Sequence, residues 1–264
     1  MFKCIFSVIS LVVLICGSNG ATNAQRVRKA FKHQVTNANL IGIYRTLVKL
    51  EGLCGFTPSA VLDVGANSGE WSADLQRYFP DSTFFLIEGS QANAAAIERK
   101  LFKYAITLVG DEDKEIKFYQ RPFGETGNAI FKEAHWNEST AVISRMRRID
   151  DIIAEQNVGP FNFMKMDIQG SEVLALKGAV KTLKHVEVIA VEAAIMNYNV
   201  GGASFFDLHQ QLETLGFALF DITDMMRRKD IAVQADLVFV RKTSRLWRKQ
   251  CTGFPPREDY KSEE

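Results

Sequence analysis

The stretch AVLDVGANSG, Ala60–Gly69, decides the fold. Its first half, Ala60–Val64, is an apolar run of strand length interrupted only by Asp63. Its second half places Gly65 and Gly69 around Asn67. Apolar residues then recur at Trp71, Leu75 and Phe79, the four-residue spacing of a helix, until Pro80 and Asp81 stop it. A buried strand that turns into a helix through glycine is the building unit of a parallel sheet covered on both faces. Such a turn lets a ligand approach the backbone, and the helix N-terminus behind it favours anionic groups.

The same alternation continues outward. TFFLIE (Thr83–Glu88) reads as a second strand, and SQANAAAIERKL as a helix with Ser90 at its N-cap. AITLVG (Ala105–Gly110) reads as a third strand and KEIKFYQ (Lys114–Gln120) as an exposed one. Residues 121–148 carry no regular pattern; at that length a connection is either functional or poorly ordered. FNFMKMD (Phe161–Asp167) and EVIAVEA (Glu187–Ala193) are two more buried strands, with helical periodicity at Val173, Leu176, Val180 and Leu183 between them. A helix carrying Phe205, Leu208, Leu212 and Leu215 follows, and GFALFDI and ADLVFV close the chain as an antiparallel hairpin. Upstream, Leu40, Ile43, Tyr44, Leu47 and Val48 form one helical face. The prediction is a doubly wound α/β domain with a mostly parallel sheet.

Composition agrees with a single core-bearing domain: 264 residues, 47% hydrophobic, 24% charged, net charge +1. So balanced a charge argues against nucleic acid as a partner. The organisation expected is a leader over residues 1–24, a helical extension over 25–57, the main domain over 58–242 and a charged, solvated tail over 243–264. The leader, one lysine before an apolar run from Cys4 to Cys16 and then small residues, has the layout of a secretory signal peptide. Uncleaved, it would associate the protein with a membrane, and the basic residues Arg26, Arg28, Lys29 and Lys32 behind it would then hold the domain on the cytosolic side. Cys54 and Cys251, outside the leader, form either one bridge in an oxidising compartment or two unpaired thiols. Asn137-Glu138-Ser139 is one glycosylation acceptor pattern.

The glycine turn is not the dinucleotide fingerprint, because Asn67 and Glu70 stand where its second and third glycines belong. Glu88, at the end of the next strand, can accept ribose hydroxyls and would repel a 2′-phosphate. A glycine turn and a ribose acid without a pyrophosphate fingerprint point to S-adenosylmethionine. Asp63, Gly65, Ala66, Asn67, Gly69, Glu88 and Asp111 are its candidate binding residues.

VLDVGANSG, LIEGS, GNAIFKE, RIDDI, FMKMDIQGSEVLALKGA, VEAAIMNYN and ADLVFV, in this order and spacing, resemble the FkbM-type S-adenosylmethionine-dependent methyltransferases from about Ala60 to Lys242. The resemblance implies a class I methyltransferase fold, Rossmann-like and seven-stranded with an antiparallel C-terminal strand. It also implies O-methylation of a hydroxyl on a sugar, glycan or small natural product. Gln169, Gly89 and Ala129 depart from the family's commoner Glu, Pro and Ser. The family's strand order places FMKMD beside the glycine-turn strand, so Asp167 faces the crevice. Asp167 is then the candidate base, with Glu172 and Glu192 orienting the acceptor, and His135 the alternative base. Three rim carboxylates would suit Mg²⁺, but hydrogen bonding to a hydroxyl is the expected role, and no metal is assigned. The rival function is a methyltransferase-fold binding protein in the secretory route or at a membrane that no longer transfers methyl groups.

Overall fold

A computed structural model describes residues 42–121, 127–133, 141–255 and 260. The leader, His135 and the Asn137–Ser139 pattern lie outside the described residues. The chain opens with helix α1 (Gly42–Cys54) and continues with β1 (Ala60–Val64), α2 (Glu70–Tyr78), β2 (Thr83–Glu88), α3 (Ala94–Glu98), β3 (Lys103–Ile106) and β4 (Leu108–Val109). Then come β5 (Lys114–Tyr119), β6 (Ala141–Arg147), α4 (Ile149–Gln156), β7 (Phe163–Met166), α5 (Glu172–Lys177), β8 (Val188–Ala194), α6 (Phe205–Thr214), β9 (Phe217–Arg228), β10 (Ile231–Arg241) and α7 (Lys249–Thr252).

Seven strands form one sheet in the order β3-β2-β1-β7-β8-β10-β9. Pairing is parallel from β3 to β8, and β10 runs antiparallel to both β8 and β9. The strand order reverses between β1 and β7, so a crevice opens there beyond the carboxyl ends of the strands. Alternation along each strand feeds two cores. Val61 of β1 and Phe163 of β7 pack with Leu47 and Leu50 of α1, Leu75 of α2 and Ile97 of α3. Leu62, Val64, Met164 and Met166 face Ile152 of α4, Leu176 of α5 and Leu212 of α6 on the other side. Asp63 and Lys165, aligned in register on β1 and β7, therefore point to the α2 face.

Three differences from the sequence expectation have physical causes. AITLVG is not one strand: Thr107 donates its N–H to Glu88 O (2.8 Å), and Leu108–Val109 cross into a second sheet ordered β4-β6-β5. Within residues 121–148, Ala141–Arg147 is a regular strand paired antiparallel to β5. This small sheet sits close to the main one because Gly89 has no side chain; a Cβ there would lie 2.6 Å from Leu108. The segment after Lys242 begins as part of the fold rather than as a solvated tail. Leu246 is buried, Trp247 packs against Phe220 and Tyr260, and Cys251 is bonded to Cys54 of α1 with Cα atoms 5.6 Å apart. Among the described residues, no helix is long and apolar enough to cross a membrane.

Candidate active site

A cavity of about 640 Å³ occupies the crevice at the β1/β7 reversal, within the ~300–1,000 Å³ of small-molecule sites. Gly65, Asn67, Glu88, Asp167 and Glu192 all line it. Sequence positions as far apart as 65 and 192 thus meet at one place.

At one end stands the glycine turn. Gly65 has φ +79°, and a Cβ there would fall 1.9 Å from the main-chain oxygen of Asp167. Only glycine satisfies both conditions. Gly65 N and Ala66 N donate to Ile87 O, at 2.8 and 3.1 Å. Asn67 N donates to Glu88 Oε2 (2.8 Å), while Ser90 N and Asn93 Nδ2 donate to Oε1 (2.8 and 3.2 Å). A carboxylate offers about four acceptor sites. Three are filled here, and the remaining one, on Oε2, is available to a ribose hydroxyl. A bare backbone turn facing an oriented carboxylate is a cradle that fits S-adenosylmethionine.

Four of the candidate cofactor residues do not line the cavity. Asp63 is fully buried; it accepts a hydrogen bond from Ser72 Oγ (2.7 Å) and pairs with Lys165 Nζ (3.3 Å), which holds α2 against the turn. Ala66 is buried. Gly69, at φ +78°, is the left-handed entry to α2, and a Cβ there would press on Leu86 at 3.2 Å. Asp111 lies past the end of β4, where its main-chain oxygen accepts from Arg148 (2.9 Å); Thr107, Leu108 and Val109 line the cavity in its place. Asn93, which also lines it, had no mark in the sequence beyond being a polar residue in a helix.

The other end is a turn of the same kind, between β7 and α5. Gln169 adopts φ +54° and Gly170 φ +95°. The Gln169 amide Nε2 donates to Asp167 Oδ1 (3.0 Å) and Glu192 Oε1 (2.6 Å). The Tyr198 hydroxyl lies 3.3 Å from Gln169 Oε1 and 3.0 Å from Gln234 Oε1. Glu172 is not at the cavity. It is buried under its own turn, where Oε1 accepts from Ile168 N (3.1 Å) and Gly170 N (3.2 Å). The helix-leading acid thus serves the turn's backbone, while Gln169 and Tyr198 line the cavity in its place.

Lys165 joins the two ends. Its Nζ donates to Gly65 O (3.1 Å) and stands 3.3 Å from Asp63 Oδ1 and 3.8 Å from Asp167 Oδ2. Burial works against this ammonium, but Asp63 and Asp167 outweigh it and hold its pKa above that of an ordinary lysine. The signal in the sequence was a single cation inside an apolar strand.

The acidic end is crowded. Burial, and then the charges of Asp167, Asp236 and Glu172, push Glu192 up to about 9, against the hydrogen bond from Gln169. Burial raises Glu172 to about 7. Asp236, opposite Glu192 in the β8–β10 register, rises to about 6 through burial and then Asp167 and Asp224. Burial and Glu192 also raise the Tyr198 phenol. Among the described residues, no group of three or more His, Cys, Asp or Glu side chains is arranged to hold a metal ion.

Two solved structures are distantly similar to the chain. Magnesium protoporphyrin IX methyltransferase from Synechocystis PCC 6803, with bound SAM, is 12% identical, covers 85% of this chain and 86% of its own, and has a TM-score of 0.44. The plantazolicin methyltransferase BamL, in complex with a triazolic desmethylPZN analog and SAH, is 8% identical, with 83% and 91% coverage and a TM-score of 0.47. At this distance neither carries an argument about function. No curated protein matches the chain. The methyltransferase FkbM domain model matches residues 63–219, more than half of the chain and both turns of the cavity. The chain is a member of the FkbM methyltransferase family, whose methyl donor is S-adenosylmethionine.

Proposed function

We propose that the protein methylates a hydroxyl oxygen on a sugar, glycan or small natural product, with Asp167 as the base. The observation that carries this is the contact between the two turns. The backbone of Asp167 lies against Gly65, while its carboxylate, 37% exposed, lines the same cavity. Bound S-adenosylmethionine supplies an activated methyl group, so the chain's task is mainly proximity and alignment. Glu88 and the Gly65 turn hold the nucleoside end. At the acceptor end the hydroxyl proton would pass to Asp167 as the oxygen takes the methyl group, whose bond to the sulfonium sulfur breaks to leave S-adenosylhomocysteine. Tyr198 and Glu192 then orient the acceptor. A set of hydrogen-bonding carboxyl, amide and phenol groups suits a polar, hydroxylated molecule better than an apolar one.

The Cys54–Cys251 bridge supports residence in the secretory route or on the exterior face of a membrane. Thiol labelling with peptide mapping of protein isolated under alkylation tests this: labelled Cys54 and Cys251 would remove it. Transfer of labelled methyl from S-adenosylmethionine to hydroxylated small molecules tests the reaction. Label found on nitrogen or carbon would overturn O-methylation. S-adenosylhomocysteine binding with no turnover on any acceptor would favour the methyltransferase-fold binding protein.

A further inference from the structure

Gln169 holds an unusual conformation against its own preferences. A non-glycine residue at φ +54° is disfavoured, and such strain persists only where surrounding contacts over-determine it. Here they do. Asn199 Nδ2 donates to Gln169 O (2.9 Å), Ala203 N donates to Gly170 O (2.9 Å), Ser171 Oγ donates to Ile168 O (2.9 Å), and Glu172 takes the N–H groups on either side. The result aims one primary amide between two carboxyl groups. Its two N–H bonds match its two partners, Asp167 and Glu192. The amide's orientation follows from chemistry: the Asp167 carboxylate needs a donor, so Nε2 must face it and Oε1 must face Tyr198.

Building on Asp167 as the base, we propose that Gln169 is a positioning residue that keeps Asp167 and Glu192 an unlike pair, Asp167 accepting a proton and Glu192 carrying one. Two neighbouring carboxylates do not both ionise readily, so the pair retains a proton. Burial assigns it: Glu192 is the more enclosed, whereas Asp167 is partly exposed and faces the Lys165 ammonium at 3.8 Å. In direct contact, the two carboxyls would share that proton, and the shared proton would make Asp167 a weaker base towards a hydroxyl. The interposed amide prevents sharing by giving each carboxyl its own N–H. The groups facing Glu192 are Asp167 and Lys165 from β7 and its turn, Glu172 from α5, Asp236 from β10 and Tyr198 after β8; Asp224 of β9 acts through Asp236. The push of burial on Glu192, opposed by Gln169, has the direction this arrangement requires.

The test is a ¹³C-carboxyl NMR titration of the full-length protein, with Glu and Asp side chains labelled and signals assigned through E192Q and D167N. In the wild type, Glu192 should still be protonated at neutral pH. In Q169M, nearly isosteric but without donors, the Glu192 midpoint should rise by about one pH unit or more, and the Asp167 signal should move with it. S-adenosylhomocysteine affinity should stay within about threefold, because the cofactor turn is untouched. In Q169E, which keeps the polarity if Q169M folds poorly, a third acid should raise the Glu192 midpoint as well. Glu192 ionised at neutral pH in the wild type, or unchanged midpoints in either folded variant, overturns the proposal. Turnover retained by D167N would instead remove the base beneath it, and the titrations would still report on the bridge.

Discussion

The turns β1–α2 and β7–α5 are two versions of one device with opposite outcomes. Each follows a buried strand, each contains a positive-φ glycine, Gly65 or Gly170, and each has a left-handed polar residue, Asn67 at φ +49° or Gln169 at φ +54°. Each also has a carboxylate that collects backbone N–H groups, Glu88 in the first and Glu172 in the second. The difference lies in the acid beside the strand end. Asp63 is sealed under α2 by Ser72 and Lys165, whereas Asp167 is left at the cavity wall. One turn has its strand acid buried against α2 and presents only binding groups. The other keeps a carboxylate unsealed among Glu192, Asp236 and Glu172, and can take up a proton.

The largest effect should come from the unsealed acid. D167N preserves shape, so S-adenosylhomocysteine affinity should change less than about threefold, while single-turnover methylation falls by ~10²–10⁴. Normal turnover in that variant would mean that the two turns do not differ in chemistry.

G65V attacks the contact between the turns. The branched side chain meets Asp167 O, and the backbone sits at φ +79°. Cofactor affinity should fall by more than about a hundredfold in calorimetry, the equivalent of ~3 kcal/mol. Tight binding by a folded variant would show that the turn is not the cradle. E88A should cost about ten- to a hundredfold in affinity through the lost ribose acceptor. It should also lower the melting temperature, because Asn67 N and Ser90 N lose their partner. Affinity retained alongside a lowered melting temperature would reduce Glu88 to a scaffold for the turn.

Much of this comparison was legible in the sequence because it rests on local chemistry. Strand-ending acids, turn glycines and helical spacing after each turn are local signals, and both turns were found with Glu88 and Asp167 at the cavity. What was missed depends on pairing. AVISRMR has little periodic signal because exposed and half-buried residues mix along its strand and only Met146 is fully buried. Leu108 and Val109 are as apolar as the strand before them, and nothing in composition marks a change of sheet at Thr107. Asp236 matters only because the β8–β10 register sets it opposite Glu192, and Glu172 was misplaced because the side chain's direction under its own turn is a tertiary fact.

The smallest effect separates the two ends by their protons. Glu172, Glu192 and Asp236 have folded pKa values of about 7, 9 and 6, all raised from ordinary values of 4.5, 4.5 and 3.8, with burial as the leading cause. A raised carboxyl pKa means that the folded protein binds more protons than the unfolded chain between the two values. The unfolding free energy must therefore fall as pH rises through that window, from about 4 to about 9. Lys165, whose pKa is raised, stays charged throughout and adds no slope there. Thermal melts should accordingly be highest at mildly acid pH and decline towards pH 9. E192Q, fixed in a neutral form, should remove the upper part of that decline, between neutrality and pH 9, by ~1–2 kcal/mol. E88Q should lower stability, because an amide turns a donor towards N–H groups that need an acceptor. A flat wild-type profile, or an E192Q profile as steep as the wild type's, would mean that the acidic end holds no extra protons, and the contrast between a sealed turn and a reactive one would lose its electrostatic basis.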